Sequence, residues 1–207
     1  MKWRDLIALS AIFGILISGS AYIYSNSFAF AENSDEIPLN ITEIPDSAGG
    51  IWYDEIASRA QEIADAGFDC VWFPPPSKAM NGPYSMGYDP YDYYDLGQYN
   101  QKGSIETRFG SVTELETAID LLKSYGVHTM ADIVINHNGG GDLQYNPNVG
   151  YNTWTDFSNV ASGMFLRGYN DFHVSTYEYS DEGTFGGYPD LCHANPWVYD
   201  NLIDWGK

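Results

Sequence analysis

The string Asp132-Ile133-Val134-Ile135-Asn136-His137 alternates polar and apolar residues and then sets an imidazole beside an amide. If the run is extended, a period of two places Asp132 and Asn136 on one face and lets His137 reach over the strand end. A carboxylate, an amide and an imidazole gathered at a strand end form a candidate for chemistry that needs company from other segments. From six residues alone, a capping Asn and a hydrogen-bonded structural His are an equally good account.

A second string, Gly87-Tyr88-Asp89-Pro90-Tyr91-Asp92-Tyr93-Tyr94-Asp95-Leu96-Gly97, interleaves rings with carboxylates. Rings suit the apolar faces of a sugar and carboxylates suit its hydroxyls, whereas a Tyr-rich packed loop is the plain alternative.

The elements that must carry these strings are legible from periodicity. Trp52, Ile56, Ala60 and Ile63 recur at helical spacing and the run stops at Gly67. Residues 68–73 are an apolar run closed by Pro74-Pro75-Pro76, which reads as a buried strand with Cys70 packed inside it. Ser111 followed by Glu114 opens a second helix with a capping box, puts Leu115, Ala118, Ile119 and Leu122 on one face, and ends at Gly126. Residues 127–135 then read as another buried strand.

Helix, strand, helix, strand, with strands apolar on both faces, predicts an α/β fold with a parallel sheet. Two long connections, residues 74–110 and 138–195, follow the carboxyl ends of these strands, where such folds place their sites.

Composition bounds the partners. The chain has 207 residues, 28 Asp and Glu against 9 Lys and Arg, and a formal charge of -19, so a polyanion is repelled and nucleic acid is not an expected partner. Residues 1–31 combine Lys2 and Arg4, an apolar stretch and Ala29-Phe30-Ala31, the pattern of a secretory signal; an uncleaved membrane anchor and a buried helix are the alternatives. Two cysteines, Cys70 and Cys192, are too few for a disulfide scaffold.

With both strings stands a set of others in order: Phe73-Pro74-Pro75-Pro76-Ser77-Lys78, Lys102-Gly103-Ser104-Ile105-Glu106-Thr107-Arg108-Phe109-Gly110-Ser111, and Gly183-Thr184-Phe185-Gly186-Gly187-Tyr188-Pro189-Asp190-Leu191-Cys192-His193. Together they resemble the α-amylases of glycoside hydrolase family thirteen, most closely the archaeal extracellular members, from about residue 49 to residue 196.

The resemblance implies a partial (β/α)8 TIM barrel at residues 49–137, a metal-binding loop domain at 138–195 inserted after the third strand, and the start of the next helix at 196–207; ahead of it stand the signal peptide read at 1–31 from its pattern and an irregular segment at 32–48. It implies that His137 hydrogen-bonds the sugar at the cleavage subsite, that Tyr88 stacks on the same ring, and that Asp132 orients an arginine from a later strand. Calcium would be held by Asn136, Asp181, the Gly183 carbonyl and Asp190, an oxygen set suited to that ion. A second metal, zinc, has matching positions at His173, Glu178 and Cys192, with glutamate where the family has a second histidine.

The expected reaction is retaining hydrolysis of α-1,4-glucosidic bonds in starch-like or glycogen-like polysaccharides. Retention needs two carboxyl groups about 5–5.5 Å apart, and these are expected from strands beyond Lys207, so this chain alone is expected to be inactive. A secreted protein, monomeric at full length and without stable membrane association, is expected. The rival readings are a chain that holds glucan without cleaving it, and a non-functional truncated product.

Overall fold

The computed structural model describes residues 50–177 and 184–207, all within one structural unit, residues 47–207. The signal-like residues 1–31, the irregular segment 32–48, and Glu178, Asp181 and Gly183 lie outside the described residues.

The first helical run forms as two pieces, α1 (Trp52–Ser58) and α2 (Ala60–Asp65), separated at Arg59, whose φ of -104° and ψ of 8° leave the helical range. Their apolar spacing still works as one stripe: Tyr53, Ile56, Ala60 and Ile63 are buried. Gly67, at φ 82°, ends the run in the left-handed conformation that lacks a Cβ penalty only for glycine.

Strand β1 (Cys70–Phe73) follows, then the short antiparallel pair β2 (Lys78–Ala79) and β3 (Pro90–Asp92). Helix α3 (Val112–Ser124) opens with the predicted capping box: the Ser111 hydroxyl accepts from the Glu114 N–H, and Glu114 accepts from the Ser111 N–H. Leu115, Ala118 and Leu122 are buried and α3 packs on α1, while Ile119 is only half-buried.

Strand β4 (His128–Ala131) lies parallel to β1 in the register Cys70↔His128 to Phe73↔Ala131. This confirms a helix crossover between parallel strands, but it corrects two expectations. The paired strand stops at Ala131, although the Asp132 N–H still donates to Phe73 O at 2.9 Å. Nor are the strands buried on both faces: Val71 and Phe73 lie beneath the helices, while Trp72 (38% exposed) and Met130 (57%) face outward. Among the described residues the parallel sheet has two strands and no layer on its second face, so the apolar alternation has nothing there to pack against. For the same reason Cys70 is exposed rather than packed.

Residues beyond His137 build the hairpin β5 (Asp142–Asn146) with β6 (Tyr151–Asp156), the small hairpin β7 (Thr184–Phe185) with β8 (Tyr188–Pro189), and helix α4 (Pro196–Trp205), capped by the Asn195 side chain. A second core joins Tyr91 and Tyr93 to Phe157, Val160, Phe165, Phe172, Leu191, Val198 and Leu202. The Tyr-rich loop and the long connection thus share one apolar interior.

Candidate functional site

Tyr88 sits after Gly87, whose φ of 91° and whose approach to Pro75 O leave no room for a side chain. That turn brings the Tyr88 phenol to Asp132, donating to Oδ2 at 2.8 Å, and the Tyr88 carbonyl to His137 Nε2 at 2.9 Å. A carbonyl only accepts, so Nε2 donates to Tyr88 O, while Nδ1 faces the Asn136 amide nitrogen at 3.5 Å. His137 is 5% exposed, and its ring stacks with Phe185 (4.8 Å, 17°) and Tyr188 (5.5 Å, 9°). These two aromatics face each other across β7 and β8.

Asn136 turns the other way, its Nδ2 donating to Asp190 Oδ1 at 3.0 Å, while its backbone carbonyl accepts from Leu191 N–H at 2.8 Å. His137 and Asp190 form an isolated antiparallel bridge that sets this spacing. The structure therefore links Asp132, Tyr88, His137, Asn136 and Asp190 in one continuous set at the carboxyl ends of β1 and β4. The order differs from a simple period of two: because pairing ends at Ala131, Asp132 and Asn136 answer to different partners rather than to a common sheet face.

Asn136 and Asp190 bring an amide and a carboxylate side by side, a hard-oxygen pair that fits part of a calcium shell once the amide presents its oxygen. Among the described residues no cluster of three or more His, Cys, Asp or Glu side chains is placed to hold a metal. His173 and Cys192 flank the bridged pair Phe172 and Leu191, through His173 N–H to Asp190 O (2.9 Å) and Cys192 N–H to Asp171 O (2.8 Å). Cys192 is buried and forms no disulfide. His193 points back to the site, with Nε2 2.8 Å from Ile135 O.

The loop beneath Tyr88 is held by buried charge. Asp89 is hydrogen-bonded to the Ser85 hydroxyl, yet burial pushes its carboxyl above the usual range. The Lys78 ammonium, wholly buried, donates to Ser104 O and Glu106 O and lies 3.7 Å from Asp95 Oδ2. Burial lowers its pKa, and Asp95 opposes that shift. Asp95 accepts three backbone N–H groups with Oδ1, and Gln101 bridges it to Asp92. Asp92 in turn takes the Ser162 hydroxyl at 2.7 Å, tying the loop to residues seventy positions later.

Residue-type reasoning missed Phe185 and Tyr188 as partners of His137, and it missed Asn138. Asn138 is wholly buried and donates to Pro90 O and to the Tyr93 hydroxyl, both at 3.1 Å. The signal for the first two was a Gly-Gly pair between aromatics, the mark of a tight hairpin. For Asn138 there was no local signal, because its partners lie more than forty residues away.

Comparison with known proteins places this arrangement. Residues 22–184 match the alpha-amylase family model, described as the alpha amylase catalytic domain. The cytoplasmic alpha-amylase of Escherichia coli (strain K12) is 46% identical over 94 residues, covering 45% of this chain and 19% of that protein. The alpha-amylase of Bacillus licheniformis is 30% identical over 159 residues, 76% of this chain and 31% of that protein. The crystal structure of alpha-amylase I from Eisenia fetida superposes with a TM-score of 0.52 at 21% identity, over 74% of this chain and 32% of that one. The chain thus spans about a fifth to a third of the length of the curated relatives it matches. The structural likeness assigns a TIM-barrel-type fold, and with the match over residues 22–184 the chain belongs to the alpha-amylase catalytic-domain family.

Proposed function

We propose that these residues are the glucan-holding part of a retaining hydrolase that cleaves α-1,4-glucosidic bonds in starch-like or glycogen-like polysaccharides. The observation that carries this is the corner in which Tyr88 bonds both Asp132 and His137 at the strand ends. A half-exposed phenol ring beside an imidazole suits a sugar ring and its hydroxyls. A sugar hydroxyl at His137 competes with the Tyr88 carbonyl for the Nε2 proton, so substrate entry costs one hydrogen bond and replaces it with another.

In the same reading Asp132 orients an arginine from a later strand, and the nucleophile and the acid/base carboxyl come from segments that follow these residues in the whole protein. The residues described form part of the barrel, with 138–195 as a loop domain inserted after the third strand. Calcium would be held by Asn136, Asp190, Asp181 and the Gly183 carbonyl, neutralising paired oxygens and tying the strand end to the Asp190 segment. A zinc ion would fall to His173, Cys192 and Glu178. The Asp181-to-Cys192 stretch suggests an archaeal extracellular type, whereas the sequence relatives named above, from Escherichia coli and Bacillus licheniformis, are bacterial. The signal-like leader supports secretion, and a monomer belongs to the proposal. No described helix is long and apolar enough to cross a membrane.

The test has two arms. The 207-residue chain should be retarded in a native gel containing soluble starch and should release no reducing sugar. Retardation that survives Tyr88→Ala and His137→Ala unchanged would overturn the assignment of the corner.

A further inference from the structure

We propose that the outward face of the β5–β6 hairpin is a second α-glucan contact, distinct from the Tyr88–His137 corner; it rests on the reading of the protein as one that handles α-glucan. The register pairs Gln144 with Thr153, Tyr145 with Asn152 and Asn146 with Tyr151. Alternation divides the two faces. Asn146 and Thr155 are buried on the inner side, where Gln144 donates to the Thr155 hydroxyl at 3.2 Å and the Thr153 and Thr155 hydroxyls meet at 2.7 Å.

The outer side carries Leu143 (49% exposed), Tyr145 (61%), Trp154 (63%) and the exposed Asn152. Tyr145 faces Asn152, and Trp154 follows two residues on along β6, where the register shifts and β6 gains one residue over β5, so the two exposed rings lie near one another at this end of the hairpin. The result is a strip of ring, amide and ring.

The chemistry of the strip selects its occupant. No Lys or Arg occurs in residues 142–156, and Asp142, paired with Asp156 at the hairpin base, faces the nearby Lys102, so the strip itself carries no positive charge to attract an anion. Two rings with polar edges around an amide fit a neutral polyol that presents C–H faces and hydroxyls in alternation. A second copy of the chain is a poor fit. A stable dimer buries about 800 Å² per partner, whereas two rings bury at most roughly 150–250 Å² each. The buried inner face holds the strands in place before binding, which lowers the ordering cost of a weak neutral ligand.

The test uses the 207-residue chain in native gels containing soluble starch, with melting temperature and sedimentation followed in parallel. The double variant Tyr145→Thr/Trp154→Thr keeps strand-forming residues at two exposed positions. It should melt like the parent and bind starch about tenfold more weakly, a loss of roughly 1.4 kcal/mol. Tyr145→Phe/Trp154→Tyr keeps both rings and should stay retarded, which holds the proposal open to test even if the threonine variant folds poorly.

The inference is overturned if the threonine variant is retarded as strongly as the parent while Tyr88→Ala is not, since glucan then sits at the corner alone and the reading of the corner stands. Equal loss in the ring-keeping variant also overturns it. A parent dimer that the threonine variant dissociates would make the strip a self-contact instead. A parent that starch does not retard at all removes both this inference and the glucan reading beneath it.

Discussion

At the scale of single residues, the molecule is held at points where a buried polar group meets carbonyls brought from other segments, even where one of its atoms, such as Arg167 Nε, has no hydrogen-bond partner among the described residues. Arg167 is the clearest. Its guanidinium is buried among Phe157, Phe165 and Tyr93, and its two terminal nitrogens donate to Phe165 O and Tyr91 O at 2.7 Å. Burial pulls its pKa down to about 10. Arg167→Met fills most of the volume but strands two buried carbonyls, so urea denaturation should show a loss of about 2–4 kcal/mol. Tyr93 beside it makes a pH prediction. Burial raises its phenol to about 12, so the native state keeps a proton that the unfolded chain loses near pH 10. Its contribution is complete below pH 10 and is lost as the pH rises through 12. At neutral pH Tyr93→Phe should cost about 1 kcal/mol, through the lost hydrogen bonds to Val134 O and from Asn138. That difference should shrink above pH 10 and change sign before pH 12 when both proteins are unfolded in urea across the range, because a pKa raised from 10.0 to about 12 is worth about 3 kcal/mol, more than the hydrogen bonds contribute.

At the scale of elements, some features were readable because a local pattern and a local cause coincide. The box at Ser111 and Glu114 was visible in the sequence because both hydrogen bonds close within four residues. Ser111→Ala should lower stability by about 1 kcal/mol in chemical denaturation, and Ser111→Asp should recover most of it. Gly87 is a turn whose necessity only the structure exposes, since an added Cβ would meet Pro75 O at 2.5 Å with φ already at 91°. Gly87→Ala should cost more than about 1 kcal/mol and should weaken starch retardation, because the same turn aims Tyr88 at Asp132 and His137. The helix break at Arg59 had no sequence mark, and the apolar stripe runs across it. The end of β4 at Ala131 was also hidden, since residues 132–135 keep an apolar content that reads as strand although their ladder has lapsed.

At the scale of the whole molecule, two features dominate. One, among the described residues, is the exposed face of the parallel pair, where Trp72 and Met130 stand side by side in register. A patch of this kind favours association. Met130→Lys should reduce binding of a hydrophobic dye and raise solubility without lowering the melting temperature, because Met130 buries little in the described structure. The other is the joint between the strand end and the Asp190 segment. On the calcium reading, adding calcium should raise the melting temperature and a chelator should reverse it, while Asn136→Ala and Asp190→Ala should each abolish the shift, as followed by calorimetry.

The sequence by itself determined the α/β alternation, the capped helix, the glycine stops and the ordered strings that carry the family likeness, because each depends on residues within a few positions of one another. Tertiary structure alone decided that Tyr88 joins Asp132 to His137, that Phe185 and Tyr188 stack on that imidazole, and that Lys78, Arg167 and Asn138 are buried. Most of these contacts link residues far apart in the chain, and burial of a charge or an amide depends on distant carbonyls and carboxylates arriving together to meet most of its polar atoms. No local pattern records that arrival.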